Sequence, residues 1–348
     1  MKIELSGGLE TALTHFAMLG LASILADSGA TNVRIWWRND TRACATVEWQ
    51  GKPAENAVHE HARRHTFPSS WVQITRPRFS TEKSGNRPTA GLFSPRQRFP
   101  NKTQDWESFM AARERATSDE MTQLDWRMLG GLGEPGHWLL IDNKPRPEAA
   151  ASRWEMVPRN GGKEFVGKQL APLAHIIATR TEAEILAGLD GSALKDELAK
   201  DSAASRTATG LCKPRPVDNA LAWCALWGLS CFPVVPRARE LAFTPAAAPR
   251  NRTHPKSMTL PVWDHPVSVA LWRTVVASEP LGTLTGSSGL DDAVGLTDEA
   301  FMAVQSLQRI GVLGLIRFPI HTNNPSAPER QILDGRLVFL HDLASLSG

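Results

Sequence analysis

The sequence has no apolar run long enough to cross a bilayer. Its first apolar segment, Leu9 to Leu25, is broken by Glu10 and His15, follows a single lysine and lacks a cleavage site. It is expected to be neither an export signal nor a membrane span. Paired-cysteine motifs are missing too: Cys44, Cys212, Cys224 and Cys231 form no C-x-x-C, and two of them sit on or beside an apolar segment where reduced thiols pack. This predicts a reducing, cytoplasmic setting. No internal repeat is visible. There is no G-x-S-x-G, no H-E-x-x-H and no cysteine-nucleophile signature, so the expectation is a non-enzymatic protein with no catalytic residue, no metal and no cofactor. Tyrosine is absent beside 12 tryptophans, an aromatic set the sequence alone does not explain. Net charge is also small, +3, so any affinity for nucleic acid has to come from local clustering.

What is present suffices for a sizeable core: 348 residues with 42% hydrophobic content. The predicted class is α+β, mixed helices and antiparallel sheet with long basic loops around a buried apolar helix. That helix is the centre of the reading. In SRTATGLCKPRPVDNALAWCALWG, Ser205 to Gly228, the residues Leu221 to Trp227 leave no polar stripe, so the helix should be covered on all sides. Asp218 or Asn219 caps its start, Pro214 and Pro216 keep it from starting earlier, and Gly228 stops it. The main domain is expected over 1–255, with 256–348 as a carboxy-terminal subdomain or a return of the first sheet.

Periodicity predicts further helices at Leu9–Ala26, Pro53–His65, Asp105–Glu114, Ser118–Leu129 (ended by Gly130 and Gly131), Thr181–Gly188, Ser192–Lys200 and near Thr297–Gln308, and one from Glu164. Strands are expected at Asn32–Trp37 and Ala43–Trp49 as a hairpin, and at Trp71–Thr75, His137–Ile141, Phe232–Val235 and Met258–Trp263. Leu313–Ile320 and Arg336–His341 should close the chain as a second hairpin pair. His61 and His65, one turn apart, lack a spaced carboxylate or thiolate to complete a metal site and read as an exposed basic helix end. His175 and Asp264-His265 read as core or turn residues. Gly131 to Gly136 satisfies G-x-G-x-x-G, but a helix precedes it and a strand follows, the reverse of a dinucleotide site.

The chemistry-bearing pattern is a set of four basic segments. Arg76 to Lys102 holds Arg76, Arg78, Lys83, Arg87, Arg96, Arg98 and Lys102 against the single acid Glu82, with Phe79, Phe93 and Phe99 interleaved. Such a loop suits a phosphate backbone and stacked bases, or is a solvated loop pinned by its phenylalanines. A second segment carries Arg153, Arg159 and Lys163 around Gly161-Gly162, with no Walker spacing; Arg153 and Glu155 are open to reading as an ion pair. The third, Arg206, Lys213 and Arg215 among Ser205, Thr207 and Thr209, offers cations and hydroxyls with no carboxylate nearby in sequence. The fourth, Arg237 to Lys256, includes Arg250 and Arg252.

At ASRWEM, the following RN and EFV, SRTATGL and DNALAWCALWG, and at the amino-terminal THFAMLGLASIL, the chain resembles a family of CRISPR-associated proteins encoded with type I-U (I-G) systems. It departs from that pattern at Ala208, where the family has proline, a change of loop stiffness more than of chemistry. The resemblance implies a large-subunit-like component of an antiviral, RNA-guided surveillance complex. Its expected partners are guide RNA, target DNA, other effector subunits and a helicase-nuclease, with no membrane. Such subunits contact the duplex beside the target and help open it. The alternative is an assembly protein of the same complex without nucleic-acid contact.

Overall fold

The computed structural model describes residues 1–39, 43–80, 82, 90–96, 103–117, 120–135, 140–141, 144–145, 147–156, 164–237, 240–250, 252–286, 296–322 and 329–345. In chain order the elements are β1 (Lys2–Glu4), α1 (Ala12–Asp27), β2 (Thr31–Asn39), β3 (Ala43–Gln50), α2 (Ala54–Arg64), α3 (Thr103–Ala116), α4 (Gln123–Leu132), β4 (Leu140–Ile141) and β5 (Lys144–Pro145). Then come α5 (Ala171–Thr179), α6 (Glu182–Asp190), α7 (Asn219–Trp227), β6 (Ala247–Ala248), β7 (Ser257–Val262), β8 (Val267–Ser268), α8 (Val269–Val276) and α9 (Glu279–Gly286). The chain closes with α10 (Asp298–Arg309), β9 (Gly314–Thr322), β10 (Arg330–Ile332), β11 (Arg336–Phe339) and α11 (Leu340–Ser345). The fold is α+β. Among the described residues no helix is long and apolar enough to cross a membrane.

Every residue of α7 is buried, as its lack of a polar stripe requires. Asp218 caps it by accepting from Ala220 N at 2.7 Å, and the same carboxylate holds buried Arg180 at 2.8 Å. Against α7 lies α1, also apolar nearly all round. The two approach closely because Gly20 and Gly228 carry no Cβ: one at Gly20 would overlap the Cys224 carbonyl, one at Gly228 the Phe16 carbonyl. The indoles fill the remaining space. Trp154, Trp223, Trp227, Trp263 and Trp272 are fully buried, which gives much of the tryptophan content a packing role.

Two antiparallel sheets flank this helical pair. In the first, of order β1-β3-β2-β8, the register sets Ile3, Val47, Ile35 and Val267 side by side in one buried row. The second has order β10-β9-β7-β6, and β11 pairs with β9 from Arg336↔Arg317 to Phe339↔Gly314. Pro261 is tolerated in β7 because β6 pairs only with Ser257 and Met258, leaving that edge without a ladder to interrupt. The second sheet thus draws β7, β9, β10 and β11 from 256–348 and β6 from before it, while β8 joins the first. One continuous apolar cluster runs from Ile3 to Leu343.

Several expected elements differ. Trp71 to Thr75 is a turn whose Thr75 makes a lone bridge to Gly91, and Phe232 to Val235 contributes only the bridge Val235↔Phe243; neither has a neighbouring strand long enough to continue the ladder. Ser192 to Lys200 yields a short tight turn, Glu197–Ala199, because Asp196 caps its start as late as residue 197 and the left-handed Lys200, φ 53°, ends it. Of the strand expected at His137–Ile141, only Leu140 and Ile141 fall within the described residues. Helix α4 is capped by Thr122, reciprocally with Asp125, and runs through Gly130 and Gly131 to end at Gly133, φ 83°. Ser118, the expected start of this helix, lies outside the described residues. His61 and His65 are buried, not an exposed end: the all-apolar α7 needs cover, and these imidazoles supply it against Trp223 and Trp227.

Candidate nucleic-acid interface

The four basic segments meet around residues 149–156. Arg153 is 1% exposed; its guanidinium donates to the carbonyls of Ala151 at 2.9 Å and Ala149 at 3.2 Å, and its backbone N–H to Thr244 Oγ1 at 3.3 Å. Trp154 Nε1 donates to Pro245 O at 3.0 Å, which fixes the fourth segment to the second. From the first segment, Arg96 donates to Ser152 O at 2.7 Å and pairs with buried Glu155 at 2.7 Å. Met156 lies against Gly210 in the third segment, and Gly210 O accepts from Ile332 N at 2.8 Å. The hub therefore ties all four segments to the second sheet.

These contacts remove some predicted ligands. Arg153 is a core brace, since a buried guanidinium shared among carbonyls has no face left for a phosphate. Arg96 is nearly covered and faces Glu155, so it too belongs to the framework. Arg76 pairs with Glu82 and lies over the Phe79 ring at 4.1 Å. Phe79 and Phe93 are buried and pin the loop, so neither offers a face for base stacking. Phe99 lies outside the described residues, as do Lys83, Arg87, Arg98, Lys102, Arg159 and Lys163.

The third segment is organised by a carboxylate after all. Asp196 is buried and accepts from Thr207 Oγ1 at 2.7 Å, Ser205 Oγ at 2.5 Å, Asn219 Nδ2 at 2.9 Å and Val217 N at 3.2 Å. Burial opposes its ionisation, but the hydrogen bonds from Ser205, Thr207 and Asn219 prevail and hold the carboxyl below its usual range. Two of the three hydroxyls expected to meet phosphate oxygens, those of Ser205 and Thr207, are thus turned inward. Arg206 pairs with Glu329 at 2.7 Å and Lys213 with Asp334 at 2.9 Å. Arg250 lies over Phe243 at 5.2 Å and near Glu279 at 3.8 Å.

Among the described residues the solvent-facing cations of these segments are Arg78, Arg206, Lys213, Arg215, Arg237, Arg252 and Lys256, of which Arg237 pairs with Glu240. Arg215, Arg252 and Lys256 have no carboxylate partner among the described residues, while Arg78 shares the field of Glu82 with Arg76. Glu164 anchors the first segment to the helix after the second. It accepts from Gly91 N at 2.9 Å, Val166 N at 2.8 Å, Gly167 N at 2.6 Å and the Ser94 hydroxyl. Burial pushes its carboxyl up to about 7 against the pull of those N–H donors. Neither Glu164 nor Asp196 stood out in the sequence. Apart from the Ala199 N–H that it caps, the side-chain partners of Asp196 are 9 to 23 residues away.

Other candidate chemistry is weaker. His61 Nδ1 accepts from Trp223 Nε1 at 3.2 Å, and burial lowers the pKa of both His61 and His65 well below the ordinary histidine value, so both are neutral. No group of three or more metal-ligating side chains occurs among the described residues. His175 is exposed on α5, and Asp264-His265 and His341-Asp342 are exposed adjacent pairs. Cys212, Cys224 and Cys231 form no disulfide, and burial raises their thiols, which makes them poor nucleophiles. No protein-family profile, curated protein or solved structure matches the chain.

Proposed function

We propose that this chain is a non-catalytic, nucleic-acid-binding subunit of a type I CRISPR surveillance complex, in contact with guide RNA or with target DNA beside the protospacer. It would work in the cytoplasm with the other effector subunits, support strand opening and help recruit a helicase-nuclease. The observation that carries this reading is the convergence of four basic segments on one rigid hub, with exposed cations on several of them. Fixed cations spaced along a framework suit phosphates, which position a strand without reading its bases. The type I-U (I-G) resemblance supplies the biological setting.

Salt titration tests it. Affinity of the guide-loaded assembly for target duplex should fall steeply with salt, and Arg215→Glu with Arg252→Glu should flatten the log–log slope by about 2, since each phosphate contact contributes about 0.9. Salt-independent binding would overturn the reading. Crosslinks to partner subunits with none to nucleic acid would instead favour the assembly role.

A further inference from the structure

We propose that the pocket where α2, α3 and α4 meet binds an alkylguanidinium group, either an arginine side chain of a partner protein or a free small guanidine. The cavity measures about 130 Å³, below the usual size of a pocket for a drug-sized ligand, so its occupant is a side-chain-sized group. The end of α2 supplies Arg64 and His65, the following turn Phe67, Ser70 and Trp71, and the approach to α4 Glu120, Met121 and Asp125.

Its electrostatics select a cation. The one cation lining it, Arg64, is already committed: it donates to Asp27 at 3.0 Å and stands 3.6 Å from Asp125. Arg127 also lies within the field of Asp27. His65 is buried and neutral, and hydrogen-bonded to Ser70 Oγ at 2.9 Å. Asp125 is buried and taken up by Arg64, Trp71 and Thr122, so the carboxylate the lining holds beyond its one cation is Glu120, which disfavours phosphate. Its apolar surface is aromatic and soft. Phe67 is 55% exposed at the rim, an uncommon position for phenylalanine, while Trp71 lies beneath with Nε1 donating to Asp125 at 3.0 Å. The exposed Phe67 ring and Glu120, which line the same pocket, suit a flat, delocalised cation, which stacks on the ring and donates to the carboxylate. A guanidinium does both with less hydration to lose than an ammonium. The site is separate from the basic interface, and its chemistry has the opposite sign.

The test is titration of the intact chain with acetyl-Gly-Arg-Gly-amide and with agmatine, followed by calorimetry or ligand-detected NMR. Controls are the same peptide with citrulline for arginine, which keeps the shape and removes the charge, and guanosine monophosphate. Saturable binding of either guanidine is expected, with citrulline about tenfold weaker. Glu120→Gln and Phe67→Ala should each weaken it about three- to fivefold while leaving the thermal midpoint unchanged. Binding of the peptide alone assigns the pocket to a partner's arginine, and binding of agmatine alone to a free guanidine. Equal binding of the citrulline peptide, displacement by guanosine monophosphate, or no saturable binding would overturn the proposal.

Discussion

Glu164 shows how one side chain couples a basic loop to pH. As a residue it is half-buried, but its carboxyl is turned inward onto Gly91, Ser94, Val166 and Gly167. Its folded pKa, about 7, lies above the ordinary 4.5, so the fold prefers the protonated form. Stability from this group is full below 4.5 and is lost as pH rises through about 7, with a slope of up to about 1.4 kcal/mol per pH unit. Urea denaturation across this range should show falling stability in the native chain and a flatter profile in Glu164→Gln. An unchanged slope in the variant would mean that the backbone donors keep Glu164 ionised throughout. None of this was legible in the sequence, where Glu164 was only the first residue of an expected helix. Its role comes from Gly91, 73 positions away. Charge runs are visible along a chain, but the partners that neutralise them are not.

At the scale of elements the sequence was far more informative, because period and capping are local. The apolar α7 with its Asp218 cap, the β2–β3 hairpin, and α10 behind Thr297 follow directly from residue pattern. The failures share a cause. Trp71–Thr75 and Phe232–Val235 have strand-like composition, but a strand also needs a partner edge, which composition does not supply. Glycine was likewise misread: Gly130 and Gly131 looked like stops, yet Gly131 lies inside α4 against the Leu229 carbonyl and Gly130 faces open space. Two opposite outcomes follow. Gly20→Ala drives a methyl into the Cys224 carbonyl between two buried helices and should cost about 3 kcal/mol or more. Gly130→Ala meets nothing and should stabilise by about 0.5–1 kcal/mol through helix propensity. Thermal midpoints of the two variants, moving in opposite directions, check both.

At the scale of the whole molecule, the basic segments divide into a framework and a surface. Arg153, Arg96 and Arg76 are held by carbonyls, Glu155 and Glu82, whereas Arg78, Arg215, Arg252 and Lys256 face solvent. The chain buries guanidinium groups to fix the geometry from which others project, and the linear sequence gives both sets the same appearance. The division is measurable. Arg96→Ala strips the buried Glu155 of this partner and should lower stability by about 3 kcal/mol. Binding measured below its lowered midpoint should keep the native salt slope, because no phosphate contact is lost. Arg215→Glu with Arg252→Glu should do the reverse, leaving the stability within about 0.5 kcal/mol of native and flattening the slope. If Arg96→Ala flattened the slope without loss of stability, Arg96 would be a contact residue and the framework would have to be redrawn around the hub at 149–156.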